Sequence, residues 1–211
     1  MKKTLFFVLI CCFLGSFTTI AQNDVGTLYF KDGRKLHGLA KLINGDQVKF
    51  RNAKGEKAQR YHFEDLAQVV INDREEPSTY IYLEIRKGFF NVVRELEIGP
   101  VSLYVLEQRG YSAPMYVGGA NSQMNMMHSN FYDINNLYVS KGNSGEITHL
   151  GSNQLFSKNF KNAASEYFSD CPVLVTKIQN KEFKKKHVKD IVNFYNLKCN
   201  EQQAVILKKN Q

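Results

Sequence analysis

The sequence predicts an α+β protein: an antiparallel, strand-rich body followed by a helical C-terminal segment. Two observations predict the body. Turn-forming pairs recur at Asp32-Gly33, Asn44-Gly45 and Lys54-Gly55, about 10 to 12 residues apart, which is the spacing of short antiparallel strands. Between them apolar and polar residues alternate with period two, the mark of a sheet with one buried and one wet face. The third observation predicts the helical end: after Gly151 the apolar residues shift to helical spacing.

Taken in order, residues 1–21 read as a signal peptide. Lys2 and Lys3 precede an apolar core from Leu5 to Leu14, and Ser16, Thr18 and Thr19 make the polar end. Thr19 and Ala21 place small residues three and one positions before Gln22, so cleavage is expected after Ala21. The core is shorter than the roughly 20 apolar residues that a bilayer-spanning helix needs. Cys11 and Cys12 sit in mid-core behind Ile10 and Cys11, which are not the small residues that lipidation requires. The chain is therefore expected to be exported: periplasmic, outer-membrane-associated or secreted.

Residues 22–76 read as a strand meander. Leu36, Gly38, Ala40 and Leu42 share one face against Lys35, His37 and Lys41; Val48 and Phe50 alternate with Lys49 and Arg51, and Tyr61 and Phe63 with His62. Asp-Gly and Asn-Gly suit type I′ hairpins, which need positive φ at both central residues. A sheet this short must bend to hide its inner side, which predicts a small SH3-like or Sm-like barrel. A charged break at residues 72–78 separates it from a second antiparallel region, 77–154, with strands at 80–85, 92–98, 101–106, 115–117, 137–140 and 146–150. Residues 120–136 lack a clear period and read as a long loop, of the kind that is functional or disordered.

Residues 155–211 read as a basic helical end. Phe156, Phe160, Ala163, Ala164, Tyr167 and Phe168 give a first amphipathic helix. A second begins near Asp170 with Pro172 in its first turn, and a third covers about 184–198 with Val188, Ile191, Val192 and Tyr195 on one face. The segment holds 11 basic and 5 acidic residues, whereas residues 22–154 balance at 15 of each. The charge excess of the exported chain thus belongs to its last quarter.

The run Tyr167-Phe168-Ser169-Asp170-Cys171-Pro172, then Asp190 to Asn196 and Cys199, resembles the ending of a family of exported, strand-rich proteins of Gram-negative bacteria. The likeness extends loosely to Gly99-Pro100-Val101-Ser102-Leu103-Tyr104. The resemblance implies localisation and architecture and transfers no site.

Cys171 and Cys199 are the only cysteines left after cleavage, and an exported chain meets an oxidising compartment where disulfides persist. If the second helix starts at Cys171 and the third ends near Cys199, an antiparallel hairpin brings the two together.

For chemistry the inventory is thin. Gly142-Asn143-Ser144-Gly145 falls one residue short of a nucleophile elbow and lies between strands, where that motif needs a strand-to-helix turn. His62 with Glu64 and Asp65 reads as a wet strand face and polar turn rather than an acid–base group. Met124, Met126, Met127 and His128, with Met115 upstream, offer thioether and imidazole ligands suited to Cu(I), though methionine is also an adaptable gap-filler. His37, His62, His149 and His187 have no metal-ligand spacing. Lys181, Lys184, Lys185, Lys186 and Lys189, with His187, form a basic cluster. Export argues against nucleic acid as its partner; an anionic envelope surface or another envelope protein fits better, and a solvated helix face is the plain alternative. No cofactor is expected. The reading is an exported, non-catalytic binding or structural protein of the cell envelope. A hydrolase with its site near residues 120–136, and a copper-handling protein using the methionine loop, are the alternatives.

Overall fold

The computed structural model describes residues 24–43, 45–72, 76–112, 116–117, 125–126, 130–142, 146–154 and 159–199. The expected signal peptide and its cleavage site at Ala21 lie outside them.

Ten strands form one antiparallel sheet: β1 (Asp24–Phe30), β2 (Lys35–Ile43), β3 (Gln47–Arg51), β4 (Gln59–His62), β5 (Leu66–Ile71), β6 (Ser78–Arg86), β7 (Phe89–Glu97), β8 (Val101–Ser112), β11 (Asn130–Lys141) and β12 (Thr148–Ser152). Their hydrogen-bonded order is β12-β11-β8-β7-β6-β5-β1-β2-β3-β4, and β9 (Tyr116–Val117) pairs with β10 (Asn125–Met126) apart from it. Among the described residues three α-helices follow: α1 (Phe160–Tyr167), α2 (Pro172–Gln179) and α3 (Val188–Phe194), the last continued by a π-turn at Tyr195–Cys199. Among the described residues no helix is long and apolar enough to cross a membrane.

The meander alternates as its sequence dictates. Leu28, Phe30, Ala40, Val48, Phe50, Leu66, Val69 and Ile71 bury on one side, joined by Phe63 from a 3-10 turn (Phe63–Asp65) and by Tyr80 of β6. Gly33, Gly45 and Gly55 take positive φ at the three turns. The sheet bends sharply here. β1 and β4 are three strand steps apart, roughly 14 Å in a flat sheet at about 4.8 Å per step. Yet the rings of Phe30 and Tyr61 lie 5.3 Å apart, edge to face. Gly38 permits the bend: a Cβ there would collide with the Arg51 carbonyl oxygen and lie 2.8 Å from the Phe50 ring.

The sheet does not close into the expected small SH3-like or Sm-like barrel. β5 gives one edge to β1 and the other to β6, so the bent meander runs on into an open ten-stranded sheet ending at β4. Hydrogen bonds from Lys31 N to Asp65 O (3.1 Å) and from Phe63 N to Asp46 O (2.9 Å) tie down the 3-10 turn without adding a strand pair.

The two faces of the sheet supply further cores. Tyr80 and Tyr82 of β6 pack with the meander, whereas Ile81, Leu83 and Ile85 pack with Val93, Tyr104 and Leu106 on the opposite face. Val101, Leu103, Val105, Leu137, Val139 and Leu150 form the largest core with the helices. Residues 130–136, read from sequence as part of a loop, belong to β11, which pairs with β8 from Asn130↔Ser112 to Lys141↔Val101. Asp133, Asn135 and Asn136 hid this strand, because polar residues on both faces remove the alternation while leaving backbone pairing intact.

Candidate functional site

Among the described residues an open cleft of about 370 Å³ is lined by Leu42, Ile43, Gly45, Gln47, Phe63, Tyr80, Val92, Arg94, Val105, Glu107 and Arg109. Strand geometry explains the lining. Registered pairing between β7 and β8 covers only Arg94↔Val105 to Glu97↔Leu103. Val92, Glu107 and Arg109 beyond that pairing line the cleft, together with Leu42, Ile43, Gly45 and Gln47 of the β2–β3 hairpin.

Period-two alternation puts Arg94, Val105, Glu107 and Arg109 on one face. Arg94 donates to Glu107 Oε1 through Nε at 3.0 Å and also through a terminal guanidinium nitrogen. Both side chains are mostly buried, at 17% and 19% exposure. A buried guanidinium and carboxylate need each other, since desolvating either alone is expensive. Further along β8, Arg109 meets Asp133 of β11 at 3.3 Å, with both exposed. Gln47 completes the polar set. Its Oε1 is buried without a hydrogen-bond partner, while Nε2 lies 3.2 Å from His62 Nε2. Apolar walls, a paired charge at the floor, an exposed arginine with guanidinium donors beyond its Asp133 contact and an unsatisfied acceptor suit recognition of a small molecule. Among the described lining residues there is no Ser, Cys or His to serve as nucleophile or base.

Of the described residues singled out from sequence, His62 borders the cleft through Gln47 and the others lie elsewhere. His62 is exposed on β4, 3.9 Å from Asp46, and Glu64 and Asp65 occupy the exposed 3-10 turn beside it. Met124, Met127 and His128 lie outside the described residues, as do Asn143, Ser144 and Gly145; of Met126 only the backbone, in β10, is described. Among the described residues no group of three or more His, Cys, Asp or Glu could hold a metal. Lys181, Lys184, Lys185 and Lys186 follow α2 on the turn that leads into α3, all exposed but Lys185, which is half-buried. Lys189 lies 3.7 Å from Glu97.

The C-terminal segment around Asp170 and residues 195–199 forms a structural clamp. Cys171, at the N-cap of α2, and Cys199, in the final π-turn, meet at disulfide distance with Cα atoms 5.8 Å apart. Asp170 accepts from Tyr195 Oη at 2.5 Å and from Lys141 Nζ at 2.8 Å. Lys141 also donates to the Tyr167 carbonyl at 3.1 Å and lies 5.0 and 5.1 Å from the Tyr167 and Tyr195 ring centroids. Burial, with the Tyr195 and Asp170 charges, pushes the Tyr167 hydroxyl well above the usual phenol range. Asn196 grips β8: Oδ1 accepts from Val101 N at 2.8 Å and Nδ2 donates to Val101 O at 2.9 Å. Gly99 makes room, since a Cβ there would lie 2.7 Å from Asn196 Nδ2. These residues hold the helices to the sheet.

Sequence reasoning missed Gln47, Arg94, Glu107 and Arg109. The available signal was a charge in phase with the buried set: Arg94 continues Val92, and Glu107 and Arg109 continue Leu103 and Val105. Comparison of the chain with protein-family models, with curated proteins and with solved structures finds no match.

Proposed function

We propose that this is an exported, non-catalytic binding protein of the cell envelope, and that the cleft is its ligand site. The observation that carries the proposal is the combination in one cleft of a self-paired Arg94–Glu107 floor and the unsatisfied Gln47 Oε1. Charges already paired with each other hold a shape. They do not provide the nucleophile and base within mutual reach that covalent catalysis of hydrolysis requires. A fitting ligand has an apolar body for Ile43, Phe63 and Val92, a donor for Gln47 Oε1, and an anionic group for Arg109.

The proposal is tested by titrating the ¹⁵N-labelled protein with a panel of small aryl and alkyl carboxylates bearing an amide or hydroxyl. Shifts should map to β7, β8 and the β2–β3 hairpin, and Arg109→Ala should weaken binding about tenfold, the equivalent of one charge-assisted hydrogen bond. Turnover of ester, phosphoester, glycoside or peptide substrates that disappears in Glu107→Gln would replace this reading with the hydrolase.

A further inference from the structure

The β6–β7 turn is built as a rigid aromatic and cationic tip. Its sequence is Arg86-Lys87-Gly88-Phe89-Phe90. Gly88 takes φ 77°, and its N–H donates to Glu84 Oε1 at 2.7 Å, which fixes the turn. Phe89 and Phe90 are 55% and 48% exposed. Neither ring is loose: the Arg86 guanidinium lies 4.3 Å from the Phe89 centroid, and Phe90 stacks on Tyr82 at 5.3 Å. Two adjacent phenylalanines held in water at a turn, with exposed Arg86 and Lys87 beside them, call for an apolar partner with negative charge at its rim.

We propose that this turn anchors the protein on a bilayer, with Phe89 and Phe90 entering the headgroup–acyl boundary while Arg86 and Lys87 bind anionic lipid headgroups. Area separates this from docking on a protein. Side chains of this size bury roughly 150–250 Å² each, so two half-exposed rings offer about 200 Å². A stable protein interface uses about 800 Å² per partner. A convex tip is too small for that, but its shape suits penetration between lipids, where apolar insertion and attraction to anionic headgroups add. The proposal is independent of the cleft reading, and failure of either leaves the other standing.

The test uses the whole exported chain with vesicles of phosphatidylcholine alone and of phosphatidylcholine with 30% phosphatidylglycerol. The protein should co-sediment with the anionic vesicles, and Phe89→Ser with Phe90→Ser should weaken binding at least tenfold. Arg86→Gln with Lys87→Gln should abolish the preference for anionic vesicles. The chain contains no tryptophan, so Phe89→Trp gives an uncontaminated probe: its emission should shift to the blue on binding and be quenched by brominated acyl chains. Urea midpoints equal to the parent's would show that the variants fold. The proposal is overturned if the parent does not bind anionic vesicles. It is equally overturned if the folded double serine variant binds within twofold of the parent, or if Lys184→Gln, Lys185→Gln and Lys186→Gln together abolish binding while the tip variants retain it.

Discussion

Replacing Asn196 with alanine should cost far more than its single side chain suggests. β7 ends at Glu97, so at Val101 the sheet has no strand on that side, and the Asn196 amide stands in for one by pairing with both the N–H and the C=O of Val101. Val101 itself is fully buried. Alanine leaves one donor and one acceptor unsatisfied, at about 1–3 kcal/mol each. Because the pair is part-buried and water can reach some of it, we expect about 2–4 kcal/mol in total. With a urea m-value of about 2 kcal/mol/M, the midpoint should fall by about 1–2 M. Asn196→Asp should separate the two bonds. Its carboxylate still accepts from Val101 N but faces the Val101 carbonyl with no proton to donate. Protonation restores the donor, so the carboxyl pKa in the folded state should rise above its unfolded value. The recovered stability is then fully present below about pH 3.9 and lost as pH rises through the folded value. Equilibrium urea denaturation followed by circular dichroism, across pH, reads both variants. An Asn196→Ala loss below about 0.5 kcal/mol, typical of surface substitutions, would refute the claim that this amide substitutes for a strand.

Two further predictions concern stability. Cys171→Ser with Cys199→Ser opens a loop with a sequence separation of 28, so the chain-entropy model gives a loss of about 3.5 kcal/mol. Urea denaturation of the variant against the parent measures it, and free labelling of both thiols in the native parent would show that no bond had been there to lose. Burial holds the Glu95 carboxyl above the usual glutamate range, so its contribution to stability is fully present below its unfolded pKa, about 4.3, and lost as pH rises through the folded value. Glu95→Gln should therefore be more stable than the parent near pH 7 and lose less stability on going from pH 4 to pH 7; parallel profiles would contradict this.

Much of the architecture was legible because it is written in local chemistry. The turns at Gly33, Gly45 and Gly55 follow from glycine's access to positive φ. The buried set Ala40, Val48 and Phe50 follows from period-two alternation. The start of α2 at Pro172 follows from the proline's missing N–H. The meeting of Cys171 and Cys199 followed from helix ends that could be counted along the chain.

Tertiary structure decided what depends on partners distant in sequence. Whether the meander closes is a question of which strand takes the second edge of β5, and nothing between residues 25 and 71 specifies that this is β6. The 130–136 half of β11 is held by β8 rather than by its own propensity, so its asparagines and aspartate concealed it. The cleft is the same kind of outcome. Gln47, Arg94, Glu107 and Arg109 are ordinary residues of three strands, brought together only because the bent meander meets the sheet where β7 and β8 stop pairing. Periodicity along a chain fixes which face a side chain takes, whereas pairing and curvature between strands fix what stands opposite it.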